Sequence, residues 1–266
     1  MDLRRVAKKI ATGFRQYLGR LTVADRYLRG EGLEIGALQD PLPLPKGARA
    51  RYVDIATTEE LRKLYPRKKR RHLVEVDIVD NGETLATVED DSQDFIIANH
   101  FFEHVEDPLL TLRNLLRVVR PGGVVFLSIP DKRFIFDKDR ATTTFEHVVR
   151  DHEQGPESSR HAHYEDVVRN AEKVIEEAAV EARVAVLEWQ EYRIHFHCWT
   201  QTEFLDLLVQ LQRREGFPTF DVEHFAKNQD EMVVVLRKAM QALPASPEAS
   251  HAAGSSQRCS PSPTPA

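Results

Sequence analysis

Short apolar segments alternate with longer amphipathic segments along most of this chain. Five apolar segments have turn-forming residues near their ends, and they are 33–35, 51–55, 73–78, 94–98 and 124–129. Continuous Val, Ile and Leu runs of this kind are typical of strands buried in a parallel sheet, and the amphipathic segments between them are typical of connecting helices. The pattern predicts an α/β fold. Strand-like segments at 220–223 and 232–236 would complete a seven-stranded sheet.

The spacing of apolar residues also predicts the helices. Apolar residues recur at helical intervals in the segments 2–28, 58–65, 108–119, 165–182 and 200–211. Residues 193–199 alternate apolar and polar side chains as an edge strand does. The first helix is basic and amphipathic, so we expect it to pack on the edge of the domain or over its cleft. Weak peripheral membrane contact, or a partner helix, is the alternative.

The predicted domain organisation is an N-terminal helix (1–28), one main domain (29–242) and a tail (243–266) that is rich in Ala, Ser and Pro and is expected to be disordered. Within the main domain, residues 131–199 form an insertion that the core fold does not need. The basic run 66–71 is interpreted as a solvated loop, with attraction of a phosphorylated substrate as the alternative.

Composition excludes several classes of protein. The net charge of −5 gives no general affinity for nucleic acid or for a membrane surface. No apolar run reaches the roughly 18–20 residues of a transmembrane helix, and no signal-peptide core follows the basic N-terminus. The two cysteines, Cys198 and Cys259, lie far apart, so a disulfide framework is not expected. We therefore expect a cytoplasmic protein, and the sequence leaves its oligomeric state open.

Acidic residues and one glycine lie near the carboxyl ends of the first three predicted strands. Glu34 and Gly36 close the first strand, Asp54 follows 18 residues after Gly36, and Asp77 lies near the end of the third strand. Parallel strands present these ends to one crevice, where nucleotide-like cofactors bind. A carboxylate there would accept hydrogen bonds from an amino group or a ribose hydroxyl and would repel a pyrophosphate, which favours a cationic ligand over a dinucleotide.

Together these features resemble the class I S-adenosylmethionine-dependent methyltransferases. The motifs that carry the resemblance are Leu33-Glu-Ile-Gly36, Asp54, Asp77, Asp94-Phe-Ile-Ile97, Phe102-Glu-His-Val105 and Leu116-Arg-Val-Val-Arg-Pro-Gly-Gly123. Ile129-Pro-Asp-Lys-Arg-Phe134 is similar to a type 11-like bacterial subgroup that is often associated with glycan assembly. The resemblance implies a Rossmann-like, mostly parallel seven-stranded sheet with helices on both faces, a helical insertion after strand five, and an antiparallel final strand.

The resemblance also implies a set of residues that bind S-adenosylmethionine. The first loop would face the methionine part, the second acid would hold the ribose hydroxyls, and the third strand would meet the adenine. The end of the fourth strand would lie beside the methionine end. The residues with these implied roles are Glu34, Gly36, Ala37, Asp54, Asp77, Ile78, Asn99 and His100. The chain departs from the family at Leu38 and Asp40, which stand where later glycines of the first loop belong.

Histidines supply the candidate catalytic groups. The resemblance places the acceptor site at the insertion, and a histidine there could take the proton of an acceptor hydroxyl. The candidates are His104, His147, His152 and His163, each with a structural role as the alternative. A pair similar to Glu103-His104 is associated with a divalent metal in the ubiquinone-pathway O-methyltransferases. No spacing here is diagnostic of zinc, even with His195 and His197 included, so no metal is assigned and a divalent metal is kept as the less favoured alternative.

The predicted function is methyl transfer from S-adenosylmethionine to a sugar, a glycan or a related hydroxylated acceptor. The alternatives are methylation of a small metabolite and a catalytically silent protein that binds the cofactor or a partner. A dinucleotide oxidoreductase is disfavoured because Leu38 and Asp40 replace the glycines that a pyrophosphate needs.

Overall fold

The computed structural model describes residues 3–65 and 72–240. The basic run 66–71 and the predicted tail 243–266 lie outside these ranges. Within the described part of the chain, no helix combines the length and the apolar character that crossing a membrane requires.

Seven strands form one sheet in the described ranges. They are β1 (Gly30–Ile35), β2 (Ala48–Asp54), β3 (Ile78–Val79), β4 (Gln93–Asn99), β5 (Val119–Pro130), β6 (Phe220–Asn228) and β7 (Glu231–Lys238). Their order is β3-β2-β1-β4-β5-β7-β6, and β7 is antiparallel to both of its neighbours, while the other pairs are parallel. The predicted α/β architecture is confirmed, and the sheet is mixed rather than purely parallel.

Helices cover both faces of this sheet, and three of the seven described helices belong to the insertion. These seven are α1 (Leu3–Tyr27), α2 (Thr58–Leu64), α3 (Pro108–Val118), α4 (Phe145–Gln154), α5 (Glu157–Asp166), α6 (Glu177–Trp189) and α7 (Gln201–Arg213). Local chemistry explains where they begin. Thr57 and Glu60 form a capping box at the start of α2. Asp107 caps α3 by accepting a hydrogen bond from the N–H of Leu110 at 2.8 Å, and Pro108 follows it in the first turn.

Strand β4 shows how one sequence segment serves two cores. Phe95 and Ile97 pack in the cluster that includes Ala24 and Leu28 of the α1 region. Ile96 and Ala98 point to the opposite face and join the larger cluster that contains the apolar residues of α3 and α7. Successive side chains of a strand point to opposite faces, so an unbroken apolar run is what a strand covered on both sides requires.

The predicted third strand is mostly absent, because only Ile78 and Val79 pair with β2. The residues before them use other partners. The N–H of Val76 donates to the hydroxyl of Thr58 at 2.8 Å. The N–H of Val74 donates to the carbonyl of Leu38 at 2.7 Å. These bonds tie the segment to α2 and to the first loop instead of to a strand ladder.

The predicted helix 165–182 is also wrong. Helix α5 ends at Asp166 and continues as one π-helical turn over Val167–Ala171. Lys173 then takes a positive φ of 63°, which interrupts the helix, and Glu176 caps the new helix α6 by accepting hydrogen bonds from the N–H groups of Ala178 and Ala179. The apolar positions therefore belong to two helices that pack on each other in a separate small core.

The segment 193–199 is not the edge strand that its alternation predicts. It is irregular, and its contact with a strand-like neighbour is a single bridge between Trp199 and Asp131. Ile194, Phe196 and Cys198 are buried, but His197 between them is fully buried as well. The segment runs between the insertion and the sheet, so both of its sides are covered.

Candidate active site

The loop after β1 has the backbone shape of a ligand-binding turn. Gly36 has a φ of +64°, and a Cβ placed there would meet no atom within 4 Å. Its N–H donates to the carbonyl of Val53 at 2.9 Å, which holds the turn against β2. Ala37 is half-buried beside it. Leu38 takes a positive φ of 50°, a conformation that costs a residue with a side chain roughly 1–2 kcal/mol. Leu38 therefore adopts a left-handed backbone conformation that a glycine would adopt without this cost.

Glu34 is buried beneath this loop. Its carboxylate accepts hydrogen bonds from the N–H of Leu42 at 2.9 and 3.2 Å, and this fixes the proline-rich turn that follows. Burial raises the pKa of Glu34 to about 7. Direct contact of Glu34 with a cofactor stays a prediction, because its observed partner is the backbone of the turn.

The acids of the next two strands lie at different depths. Asp54 is the last residue of β2, and its carboxylate accepts a hydrogen bond from the N–H of Ile55 at 2.8 Å. Asp77 comes before β3, where its carboxylate accepts from the N–H of Tyr52 at 2.7 Å. Asp80, which the sequence analysis did not select, directly follows β3, and its carboxylate accepts from the N–H and the hydroxyl of Thr87. Asp54 and Asp80 thus lie at the carboxyl ends of β2 and β3, and Asp77 lies before the start of β3.

Ile78 is half-buried and packs against the main core. Asn99 ends β4 opposite Ser128 of β5. The side-chain oxygen of Asn99 and the hydroxyl of Ser128 are both buried, and neither has a hydrogen-bond partner in the described part of the chain. Asn99 comes one residue after Ala98, which pairs with Ile35 of β1. Its side-chain oxygen can accept a hydrogen bond from a ligand that carries an ammonium group, as S-adenosylmethionine does.

His100 joins this edge to α1. It takes a positive φ of 49°, and its Nε2 lies 2.7 Å from Glu231 Oε2, while its Nδ1 lies 3.5 Å from Glu103 Oε1. Burial acts to lower the pKa of His100, but the two carboxylates outweigh it and raise the pKa to about 9. Arg20 of α1 donates to the same Glu231 carboxylate. The N-terminal helix is therefore fixed next to the predicted methionine end.

A first histidine cluster lies beside this point and consists of Glu103, His104 and His195. His104 Nδ1 lies 2.8 Å from the carbonyl oxygen of Ile194, which can only accept, so Nδ1 carries the proton and Nε2 has the free lone pair. Burial, together with the other nearby histidines, lowers the pKa of His104 and keeps the ring neutral. Glu103 is buried, its two oxygens have no hydrogen-bond partner among the described residues, and Oε1 lies 4.0 Å from His195 Nε2.

A second cluster lies in the insertion and brings together His147, Asp151, His163 and His197, each of which offers one ligand atom within 4.8 Å of the others. His147 and His163 are thus neighbours, as two of the predicted catalytic histidines. His104 belongs to the first cluster instead. His152 belongs to neither cluster, because its Nδ1 contacts the Asp107 carboxylate at 2.8 Å, at the cap of α3.

The fold and this edge define a class: an α/β protein whose parallel strands end at a site with acids, an open glycine turn and a partnerless amide oxygen. Comparison with known families then identifies the family. A methyltransferase domain model matches residues 20–211, which is more than half of the chain. The chain therefore belongs to the methyltransferase domain family and is a protein of the S-adenosylmethionine-dependent methyltransferase class. A search of curated proteins gives no match.

Solved structures of low identity are similar to the chain. One, from Thermotoga maritima, is described as an S-adenosylmethionine-dependent methyltransferase and possible histamine N-methyltransferase, with 17% identity and a TM-score of 0.45 over 88% of this chain and 97% of that one. A methyltransferase from Methanosarcina mazei has 18% identity and a TM-score of 0.45 over 81% and 96%. A Haloferax volcanii complex of the Trm112 activator and a methyltransferase has 13% identity and a TM-score of 0.46 over 90% and 95%.

Proposed function

We propose that this protein transfers the methyl group of S-adenosylmethionine to a hydroxyl oxygen of a sugar, a glycan or a related acceptor, and that it does so in the cytoplasm. The cofactor supplies a methyl group on a positively charged sulfur, which an oxygen lone pair can attack in line. Family membership supports the cofactor. The resemblance of residues 129–134 to a glycan-associated subgroup supports the acceptor.

In this proposal the edge of the sheet binds the cofactor. The open turn at Gly36 admits the methionine part, and the partnerless oxygen of Asn99 accepts from its ammonium group. Asp54 accepts from the ribose hydroxyls, at the end of β2. The adenine lies between Ile78 and the loop beyond β3, where the carboxylates of Asp77 and Asp80 already accept backbone hydrogen bonds.

The observation that carries the catalytic part is the tautomer of His104. Its Nδ1–H donates to the Ile194 carbonyl, so its Nε2 is a neutral base with a fixed orientation. As the acceptor oxygen took up the methyl group, His104 Nε2 would take the hydroxyl proton, and the electrons of the broken carbon–sulfur bond would stay with the leaving sulfide. Holding the two reactants at about 3–3.5 Å supplies much of the remaining rate.

The insertion, residues 131–199, supplies the acceptor side of the proposal. Its segment 193–199 passes directly over His104, because Ile194 is the hydrogen-bond partner of that ring. A hydroxylated acceptor bound against the insertion would thus reach the base and the cofactor edge together. Loops and insertions at the carboxyl ends of parallel strands commonly set specificity in this way.

The test begins with calorimetric titration of the full chain with S-adenosylmethionine and S-adenosylhomocysteine, with NAD as the control. We expect binding of the two methionine-derived ligands alone. A panel of sugars, nucleotide sugars and small hydroxylated metabolites is then assayed with labelled methyl donor. Binding without transfer to any acceptor would favour the catalytically silent alternative, and transfer to a metabolite alone would replace the glycan acceptor.

The base is tested with His104→Gln and with His152→Gln as the matched control, since His152 lies at the cap of α3. General-base assistance contributes typically ~10²–10⁴-fold, so we expect His104→Gln to lower kcat by about that factor and leave cofactor affinity unchanged. Equal losses in both variants would contradict the assignment of His104.

A further inference from the structure

The second histidine cluster is built from three separate segments of the chain. His147 and Asp151 lie one turn apart on α4, His163 lies on α5, and His197 lies on the irregular segment after α6. Asp151 and His197 are fully buried, and the side chain of His163 is 11% exposed. Three imidazole rings and one carboxylate therefore meet between α4, α5 and the segment 193–199.

The separations of their polar atoms are those of metal ligands. His147 Nε2 lies 3.1 Å from both His163 Nε2 and Asp151 Oδ2. Asp151 Oδ2 is 3.6 Å from His163 Nε2 and 3.8 Å from His197 Nε2. Four ligands at tetrahedral angles and bond lengths of ~2.0–2.2 Å would stand about 3.3–3.6 Å apart.

Hydrogen bonds account for only part of this arrangement, since His147 Nε2 lies 3.1 Å from His163 Nε2 and His197 Nε2 lies 3.4 Å from the Glu106 carbonyl oxygen. Both oxygens of Asp151 are buried, and neither has a hydrogen-bond partner among the described residues, because the ring contacts are close but poorly oriented. His147 and His163 direct the same type of ring nitrogen at each other and at one carboxylate oxygen. A single cation placed among the four atoms would satisfy all of them at once.

We propose that His147, Asp151, His163 and His197 bind one Zn²⁺ ion that holds the insertion together. Neutral imidazole nitrogens with one carboxylate suit zinc, and four protein ligands fill a tetrahedral shell and leave no position for a substrate. The ion joins α4, α5 and the segment 193–199, so it fixes the segment that carries Ile194 over His104. This inference departs from the sequence-based prediction, which assigned no metal and kept a divalent metal as the less favoured alternative, and it does not depend on the acceptor or on methyl transfer.

The first histidine cluster is a second candidate metal site. Glu103, His104 and His195 also place one ligand atom each within 4.8 Å of one another. That group has three members rather than four. The Nδ1 atoms of His104 and His195 contact the Ile194 carbonyl and the Asp137 carboxylate, which leaves both Nε2 atoms able to bind a cation. A test of the zinc proposal must therefore separate the two groups.

The experiment measures zinc in the full chain after expression with zinc and removal of loosely bound metal. We expect about one equivalent by elemental mass spectrometry, and tetrahedral absorption bands after exchange with Co²⁺. Asp151→Asn and His163→Ala should bind close to none. His161→Ala is the matched control on α5, since this ring is exposed and contacts Glu188, and it should keep the full equivalent.

Circular dichroism of each variant shows whether it remains folded, and chelation of the wild-type protein followed by zinc titration gives a readout that needs no variant. We expect the wild-type melting temperature to fall on chelation and to recover with zinc. Metal that is retained in Asp151→Asn but lost in Glu103→Gln would overturn the proposal in favour of the first cluster. A folded wild-type chain that takes up neither Zn²⁺ nor Co²⁺ would overturn it outright. Both results are independent of cofactor binding, which is measured separately.

Discussion

Replacement of Arg20 by Ala tests how α1 is held on the domain. The Arg20 guanidinium donates through Nε to Glu231 Oε1 at 2.8 Å and through Nη2 to Oε2 of the same carboxylate. Glu231 is fully buried and also contacts His100 and Asn228. Arg20→Ala removes the bidentate partner and leaves the carboxylate with the other two.

The expected loss follows from the burial of this carboxylate. Removing one partner of a buried ion pair costs roughly 3–5 kcal/mol, and hydrogen bonds to charged groups contribute about 1.5–3 kcal/mol. Since His100 and Asn228 remain, we expect a loss near the lower limit, about 3 kcal/mol. For a chain of this length that corresponds to a decrease in Tm of roughly 6–12 °C.

The assay is urea unfolding and thermal melting of wild type and variant. Arg15→Ala is the control, because Arg15 is an exposed residue of the same helix, and its change should stay within about 0.5 kcal/mol. Little dependence of the difference on salt concentration is expected, since buried pairs are screened less than exposed ones. A loss below about 1 kcal/mol, or one equal to that of Arg15→Ala, would refute the reasoning.

Two further variants test the cofactor edge. The pKa of Glu34 is raised to about 7 in the folded chain from an ordinary value of 4.5. Between these two pH values the folded state holds a proton that the unfolded state releases. The free energy of unfolding should therefore fall by roughly 3 kcal/mol as the pH rises from 4.5 to about 7. Glu34→Gln should remove most of this pH dependence in urea unfolding measured at several pH values. An unchanged slope would show that Glu34 is ionised when folded. Asp54→Ala should weaken S-adenosylmethionine binding about 10–100-fold in calorimetry by removing charge-assisted hydrogen bonds to the ribose, whereas an exposed control, Asp25→Ala, should not. An unchanged affinity for S-adenosylmethionine would contradict the prediction that Asp54 binds the ribose.

The sequence was most informative where a pattern reports a local requirement. The run 95–98 had to be apolar throughout because Phe95 and Ile96 face different cores. Asp107 and Pro108 marked the start of α3 because a cap depends on neighbours only three residues away. Such features depend on backbone geometry that the local residues determine, and they were confirmed.

The failures come from bonds between distant segments. Residues 73–77 look like a strand, yet Val76 bonds to the Thr58 hydroxyl and Asp77 accepts from Tyr52, contacts that no local periodicity reports. The alternation in 193–199 suggested one solvent-facing side, but the insertion covers that side as well, which is why His197 is buried.

Only two of the four members of the second histidine cluster could be placed together from the sequence. His147 and Asp151 are four residues apart, and in a helix this spacing places them on one face. His163 and His197 come from elements whose approach depends on the break at Lys173 and on the path of 193–199. The predicted continuous helix 165–182 contained no such break, so the pattern could not bring the four side chains together.

Polar contacts also explain why the elements that cover the site have fixed positions. Apolar burial is strong but non-directional, so it can hold α1 and the insertion against the sheet without setting their orientation. Arg20 on Glu231 fixes α1 against β7, and within the insertion Arg140 pairs with Asp137 at 2.9 Å, where the same buried carboxylate also contacts His195. Because each contact leaves a buried charge if it is broken, the covering elements are held in one arrangement rather than several. His104 contacts this part of the insertion, because its Nδ1–H donates to the Ile194 carbonyl and its ring packs edge-on against His195 with 4.6 Å between the centroids.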